Sequence, residues 1–147
     1  MSAARILTGF IAGFLSVLTF QSLVIAILHA AGIIPFGAWS MMPVPPFGVP
    51  QAFSGAFWGG LWGIVYTWLE PGLTARVGWW IGGLLFGAVF PVLVLLFIVF
   101  PLKGGPVGGS AGLAGVPLIV VIHAVFGLGT AIFFRLGRSF GGSRVPA

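Results

Sequence analysis

Cysteine and aspartate are absent from the 147 residues, and glutamate occurs once, at Glu70. Without cysteine there is no disulfide, no thiolate metal ligand and no thiol nucleophile. With a single carboxylate, paired-carboxylate acid/base chemistry and a carboxylate-bound metal centre are not available within one chain. No serine sits in a GxSxG-like setting, and the glycine-rich runs lack the lysine and the strand-loop-helix context of a phosphate loop. Charge of either sign is scarce: 5% of residues are charged, whereas soluble domains carry about a quarter. These absences point away from an enzyme, to no catalytic residue, no metal site and no required cofactor.

What is present is apolar. Hydrophobic residues make up 59% of the chain, mean hydropathy is +1.21, and no charge falls between Arg5 and Glu70. About 20 apolar residues in a helix cross a bilayer core at about 1.5 Å rise per residue, so this uncharged stretch crosses more than once. Its break is marked by Pro35, Pro43, Pro45, Pro46 and Pro50, because proline removes a backbone donor and clashes with the preceding turn. Four spans are expected, at about residues 6–32, 50–69, 78–100 and 113–134. Helices are preferred to a barrel because the apolar runs are continuous, where barrel strands alternate. The fold class read from the sequence is an all-α integral membrane four-helix bundle in one transmembrane domain, 1–147. The N-terminal run exceeds a signal-peptide core of about 7–15 residues and is expected to remain as a helix.

Cations near span ends are retained on the cytoplasmic side. With the N-terminus inside, Arg5, Arg76, Arg135, Arg138 and Arg144 are cytoplasmic and Lys103 alone is outside. Both ends are then inside, and the Arg138–Ala147 tail is expected to be a flexible basic end touching headgroups. A sequence pI near 11.8 would point to nucleic acid in a soluble protein, but no basic surface remains once the spans are placed, so lipid phosphates are the expected anionic partner.

The outer connection Ile33–Val49 is uncharged and Pro-rich, with Trp39, Met41, Met42 and Phe47. Such a segment lies on the membrane surface or folds over the bundle mouth, as a stiff connector or a lid. Leu102–Gly112 is Gly-rich and reads as flexible. A GVP triplet opens two spans, at Gly48-Val49-Pro50 and Gly115-Val116-Pro117, and suggests two repeated helical hairpins of like orientation.

Small residues four apart let membrane helices approach closely. Gly9 with Gly13, Gly55 with Gly59 and Gly63, Gly78 with Gly82, and Gly83 with Gly87 have that spacing, within one chain or between copies. In span two, Gly55, Trp58, Gly59, Trp62, Gly63, Tyr66 and Leu69 share a stripe. The rings either cover a partner's glycines or line a groove for a lipid tail, quinone or pigment. His29 shares a face with Ser22, and His123 with Thr130, each seven residues apart. If the faces meet, they form a polar seam in which neutral imidazoles bond hydroxyls or carbonyls. A b-type haem between the histidines needs equal depth, yet His123 counts to roughly 12 Å and His29 to roughly 6 Å from the span ends. Gln21, near the middle of span one, is expected to bond another helix.

The stretch Leu28–Gly63, LHAAGIIPFGAWSMMPVPPFGVPQAFSGAFWGGLWG, resembles a pattern in small four-helix inner-membrane proteins of proteobacteria. The MxPxxPxGVP loop leading into AFWGG is its most specific element. The resemblance covers about a quarter of the chain and implies fold and location, a multi-pass protein of the bacterial inner membrane, but no activity. The function expected is that of a structural or lipid- or ligand-binding subunit of a membrane assembly or homo-oligomer. The candidate binding residues are Trp58, Trp62, Tyr66, His29, His123, Ser22 and Thr130. The alternatives are an oligomeric channel or small-solute transporter, and then a haem- or quinone-associated electron-transfer component. Partners are membrane lipids and other membrane subunits, without nucleic acid.

Overall fold

The computed structural model describes residues 2–141, and Arg144 with the end of the expected basic tail lies outside them. The described chain is all-helical apart from a short loop ladder, with four long helices. We number them α1 (Ala3–Ala30), α2 (Gln51–Val77), α3 (Trp79–Leu102) and α4 (Val116–Gly141). Segments in α1, α3 and α4 are long and apolar enough to cross a membrane. Helix α2 is equally long but less apolar, because its glycines and tryptophans add little hydropathy and it carries Glu70 and Arg76.

Neighbouring helices run antiparallel, giving an up-down-up-down order around a four-membered ring. One end carries Ser2, Gly141 and the α2–α3 turn, and the other carries the two longer loops. Helix α1 is capped by Ser2, whose side chain accepts from the Arg5 backbone N–H at 3.3 Å and so serves a donor of the first turn. The α2–α3 turn is the single residue Gly78, at φ +83°, a conformation open to glycine and strained for other residues. Gly78 is therefore a turn residue, with nothing within 4 Å of an added methyl, and the expected Gly78/Gly82 packing pair is not one.

Helix α2 does not stop before Pro71, as the expected span boundary at residue 69 implied, but continues to Val77. Pro71 has no N–H to give the carbonyl of Thr67, four residues earlier, and Arg5 Nη2 of α1 donates to that oxygen at 3.0 Å. Likewise Arg138–Gly141, expected in a flexible tail, continue α4.

The glycine faces meet inside the chain. A methyl built on Gly13 would strike the carbonyl oxygen of Gly59, and one on Gly63 would strike that of Gly9. In the second hairpin Gly87 faces the His123 carbonyl, and Gly127 faces Gly83 and Gly87. Backbone thus lies on backbone, so the α2 rings do not cover these glycines. Rings of α1 cover other glycines: Phe10 lies over Gly60, and Phe20 over Gly129. Ser16 ties α1 to α4 through a 2.6 Å bond from its hydroxyl to the Phe126 carbonyl. The core is an aromatic cluster in which Tyr66 meets Phe86 at 5.0 Å and Phe134 at 5.7 Å between ring centroids.

Two helices contain π-turns, at Val17–Gln21 in α1 and Leu95–Val99 in α3. Such turns insert a residue and release carbonyls from the regular ladder. In α1, Ser22 Oγ bonds the Val17 carbonyl at 2.7 Å, and the indole of Trp39 donates to the Leu18 carbonyl at 2.8 Å. That second bond fastens the Pro-rich loop to α1. The loop carries a two-residue ladder pairing Val44 with Val49, while Phe36, Met41, Met42 and Phe47 stay exposed. The two GVP triplets differ locally: Gly48 has φ +69° beside the ladder, whereas Gly115 ends a 3-10 turn, Gly109–Gly115, that occupies part of the connection read as flexible.

Candidate functional site: a cavity between four helices

Helices α2 and α3 are the least closely packed neighbours in the ring. At the terminal end their seam is filled by aromatic rings, Trp62 and Tyr66 against Phe86. Toward the loop end it opens into a cavity of about 490 Å³. Helix α2 supplies Trp58, Leu61, Trp62 and Val65, and α3 supplies Pro91, Val94, Leu95 and Val99. The floor and back come from Val17 of α1 and Phe126 of α4. Both π-turns contribute walls, through Val17 and Gln21 on one side and Leu95 and Val99 on the other.

Three polar side chains break this apolar lining: Gln21, His123 and Lys103. Gln21 does not bond to another helix, contrary to expectation; among the described residues its amide has no hydrogen-bond partner, and the residue, the last of the π-turn, lines the cavity. His123 Nδ1 lies 2.8 Å from the Ile119 carbonyl one turn back on its own helix, which commits that nitrogen to donation and leaves Nε2 for another partner. Lys103 stands exposed at the end of α3. A concave, mostly apolar space with a few polar groups is the general form of a small-molecule site, and 490 Å³ falls within the range of about 300–1,000 Å³ typical of such pockets.

No protein-family model, curated protein or solved structure matches the chain. The cavity is therefore interpreted on its own chemistry.

The candidate residues divide between lining and scaffold. Trp58, Trp62 and His123 reach the cavity. Tyr66 lies in the aromatic core. Ser22 and Thr130 are buried and bond carbonyls of their own helix, Val17 at 2.7 Å and Phe126 at 2.9 Å. His29 is exposed in the last turn of α1, 3.1 Å from the Ile34 carbonyl. The expected polar seam of two histidines and two hydroxyls does not assemble, because each group finds a carbonyl close by in its own chain segment. Nor do the two imidazoles face one cavity, which is the arrangement a bis-histidine haem requires.

A second polar cluster, at the terminal end, escaped sequence reasoning. Glu70 Oε2 pairs with Arg5 at 2.8 Å, and Oε1 lies 3.4 Å from Thr74 Oγ1 and 3.7 Å from Arg138. Arg5 and Arg138 also stand over the Phe134 ring, at 5.1 Å and 5.8 Å from its centroid, and Arg135 over Trp79 at 5.0 Å. The Glu70 carboxylate is 10% exposed. The cluster draws three helices together and commits the chain's one carboxylate, so its geometry is that of a structural clamp. Its members were visible in the sequence as charges near span ends; their meeting depends on the helix order around the ring.

Proposed function

We propose that this protein is a four-helix bundle embedded in a membrane, with both described ends on the cytoplasmic side, that binds an amphiphilic small molecule or lipid chain in the cavity between α2 and α3. The observation that carries this reading is the cavity itself: apolar walls, two tryptophans, and polar groups where the seam opens toward the loops. Span orientation rests on the arginine bias, because Arg5, Arg76, Arg135 and Arg138 belong to the terminal end and Lys103 to the loop end. The resemblance of Leu28–Gly63 to proteobacterial inner-membrane proteins supports the bacterial inner membrane as the location. Binding is favoured over catalysis because the single carboxylate is held in the terminal clamp, remote from the cavity.

Helix α2 takes its place as a fourth span through packing more than hydropathy. Its glycines lock it onto α1, and its charge-free length from Gln51 to Leu69 nears the roughly 20 residues a span requires. A pore through one chain is disfavoured, since the buried rings of Tyr66, Phe86 and Phe134 fill the axis beneath the cavity. As a subunit of a membrane assembly or a homo-oligomer, the protein presents an apolar outer surface to lipid and to partners.

The test is native mass spectrometry of the protein released gently from lipid, comparing the unaltered chain with Leu61→Trp, which enlarges a side chain in the cavity wall. The expected result is a co-purifying amphiphile of one mass class that the variant loses while its helix content by circular dichroism is unchanged. Equal lipid retention by both proteins refutes a cavity site.

A further inference from the structure

The cavity has a charge that the protein itself does not balance. Glu70 is the only acidic side chain in the sequence, and Arg5 holds it at 2.8 Å at the terminal end. Lys103 sits at the opposite end, on the cavity wall. No side-chain anion therefore remains to pair with its ammonium. Gln21, on the same cavity lining, adds an amide with two donors and an acceptor oxygen and without a hydrogen-bond partner among the described residues. The ammonium is exposed at the loop end and the amide belongs to the cavity lining, so both are open to a ligand that enters there.

From this juxtaposition, and resting on the reading that the cavity is a ligand site, we propose that the occupant is a single-chain acidic amphiphile of fatty-acid type. Its carboxylate takes the Lys103 ammonium and the Gln21 amide, and its hydrocarbon chain lies along Trp58, Trp62 and Leu95. Three features select this class. A carboxylate is an acceptor-only group and complements the donors of Lys103 and Gln21. A cavity of about 490 Å³ suits one chain rather than the two of a diacyl lipid. An acid also supplies the missing counter-charge, which an alcohol of the same length does not. Nδ1 of His123 is already committed to the Ile119 carbonyl, so the imidazole serves as wall and acceptor, and the charge recognition falls to Lys103.

The experiment titrates the full-length protein, in a neutral detergent at pH 8, with oleate, with oleyl alcohol and with an anionic diacyl phosphatidylglycerol, reading bound stoichiometry by native mass spectrometry. Oleate is expected to bind one per chain, about tenfold more tightly than oleyl alcohol, a preference of the size one charge-assisted contact confers. Lys103→Gln is expected to abolish that preference with little change for the alcohol, and Lys103→Arg to retain it. Because Lys103 is exposed, folding is not at risk in these variants, and circular dichroism checks it. Equal binding of oleate and oleyl alcohol, or an undiminished preference in Lys103→Gln, overturns the acidic-headgroup inference while leaving the cavity reading intact. Preferential binding of the diacyl lipid over oleate overturns the single-chain assignment. Binding of none of the three overturns both the inference and the reading beneath it.

Discussion

The glycine seam between α1 and α2 makes one substitution give opposite results at different sites on the same helix. A methyl at Gly63 would overlap the Gly9 carbonyl oxygen and lie 2.9 Å from the Gly13 nitrogen. Both obstacles are backbone, so no rotamer change relieves them and the two helices must separate. Separation by a fraction of an ångström to one ångström forfeits a quarter to a half of each dispersion contact along the seam, and overpacking of this kind costs about 1–3 kcal/mol. Gly13→Ala carries the same penalty, since its methyl would meet the Gly59 carbonyl. At Gly72 the added methyl meets nothing within 4 Å and the residue is helical. There the better helix propensity of alanine stabilises by about 0.5–1 kcal/mol. Gly55→Ala, whose methyl meets only Val17 Cγ1 at 3.8 Å, falls between, within about 0.5 kcal/mol of neutral. The assay is reversible unfolding in mixed detergent and dodecyl sulfate micelles, followed by circular dichroism. A Gly63→Ala protein as stable as the unaltered chain, or a Gly72→Ala protein as damaged as Gly63→Ala, refutes the claim that this seam is intramolecular backbone contact.

Arg5→Met keeps an apolar stem above Phe134 but removes both donors, and is expected to cost about 2–4 kcal/mol as a largely buried pair is broken; in a Glu70→Gln background the same change costs less, and equal costs in a double-mutant cycle would show that the pair does not couple. Ser16→Ala removes the 2.6 Å bond to the Phe126 carbonyl and should destabilise by about 1 kcal/mol, measured by the same unfolding assay. Because the chain has no cysteine, single reporters are unambiguous: Ser2→Cys and Gly105→Cys should label from opposite sides of a sealed vesicle, and labelling from one side would reverse the proposed topology. Trp39→Phe deletes the donor to the Leu18 carbonyl, and hydrogen exchange in residues 33–50 should rise, whereas unchanged protection would mean that the loop is held by other contacts.

How far the site was legible varies residue by residue. Trp58 and Trp62 were visible as rings on one α2 stripe, and both reach the cavity, yet Tyr66 on that stripe points into the core. Helical spacing defines a face but not what stands opposite it. Gln21 was visible as an amide within an apolar span; its exposure to a cavity depends on the π-turn at Val17–Gln21, for which the nearby hydroxyls of Ser16, Thr19 and Ser22 are only a faint signal. Lys103 was legible as a topological charge alone. The hydroxyls and His29 misled because seven-residue spacing aligns side chains, whereas a nearby carbonyl of the same segment is the easier partner.

The sequence alone determined that the chain is helical and apolar, that it carries one acidic side chain, and that proline and glycine divide it, because these follow from side-chain solvation and local backbone freedom. Tertiary structure decided which glycines touch, that Arg5 reaches Thr67 and Glu70, and that α2 and α3 part to leave a chamber. Those outcomes depend on the order and distance of helices around the ring, and contacts between residues on different helices leave no imprint on the periodicity of any single helix.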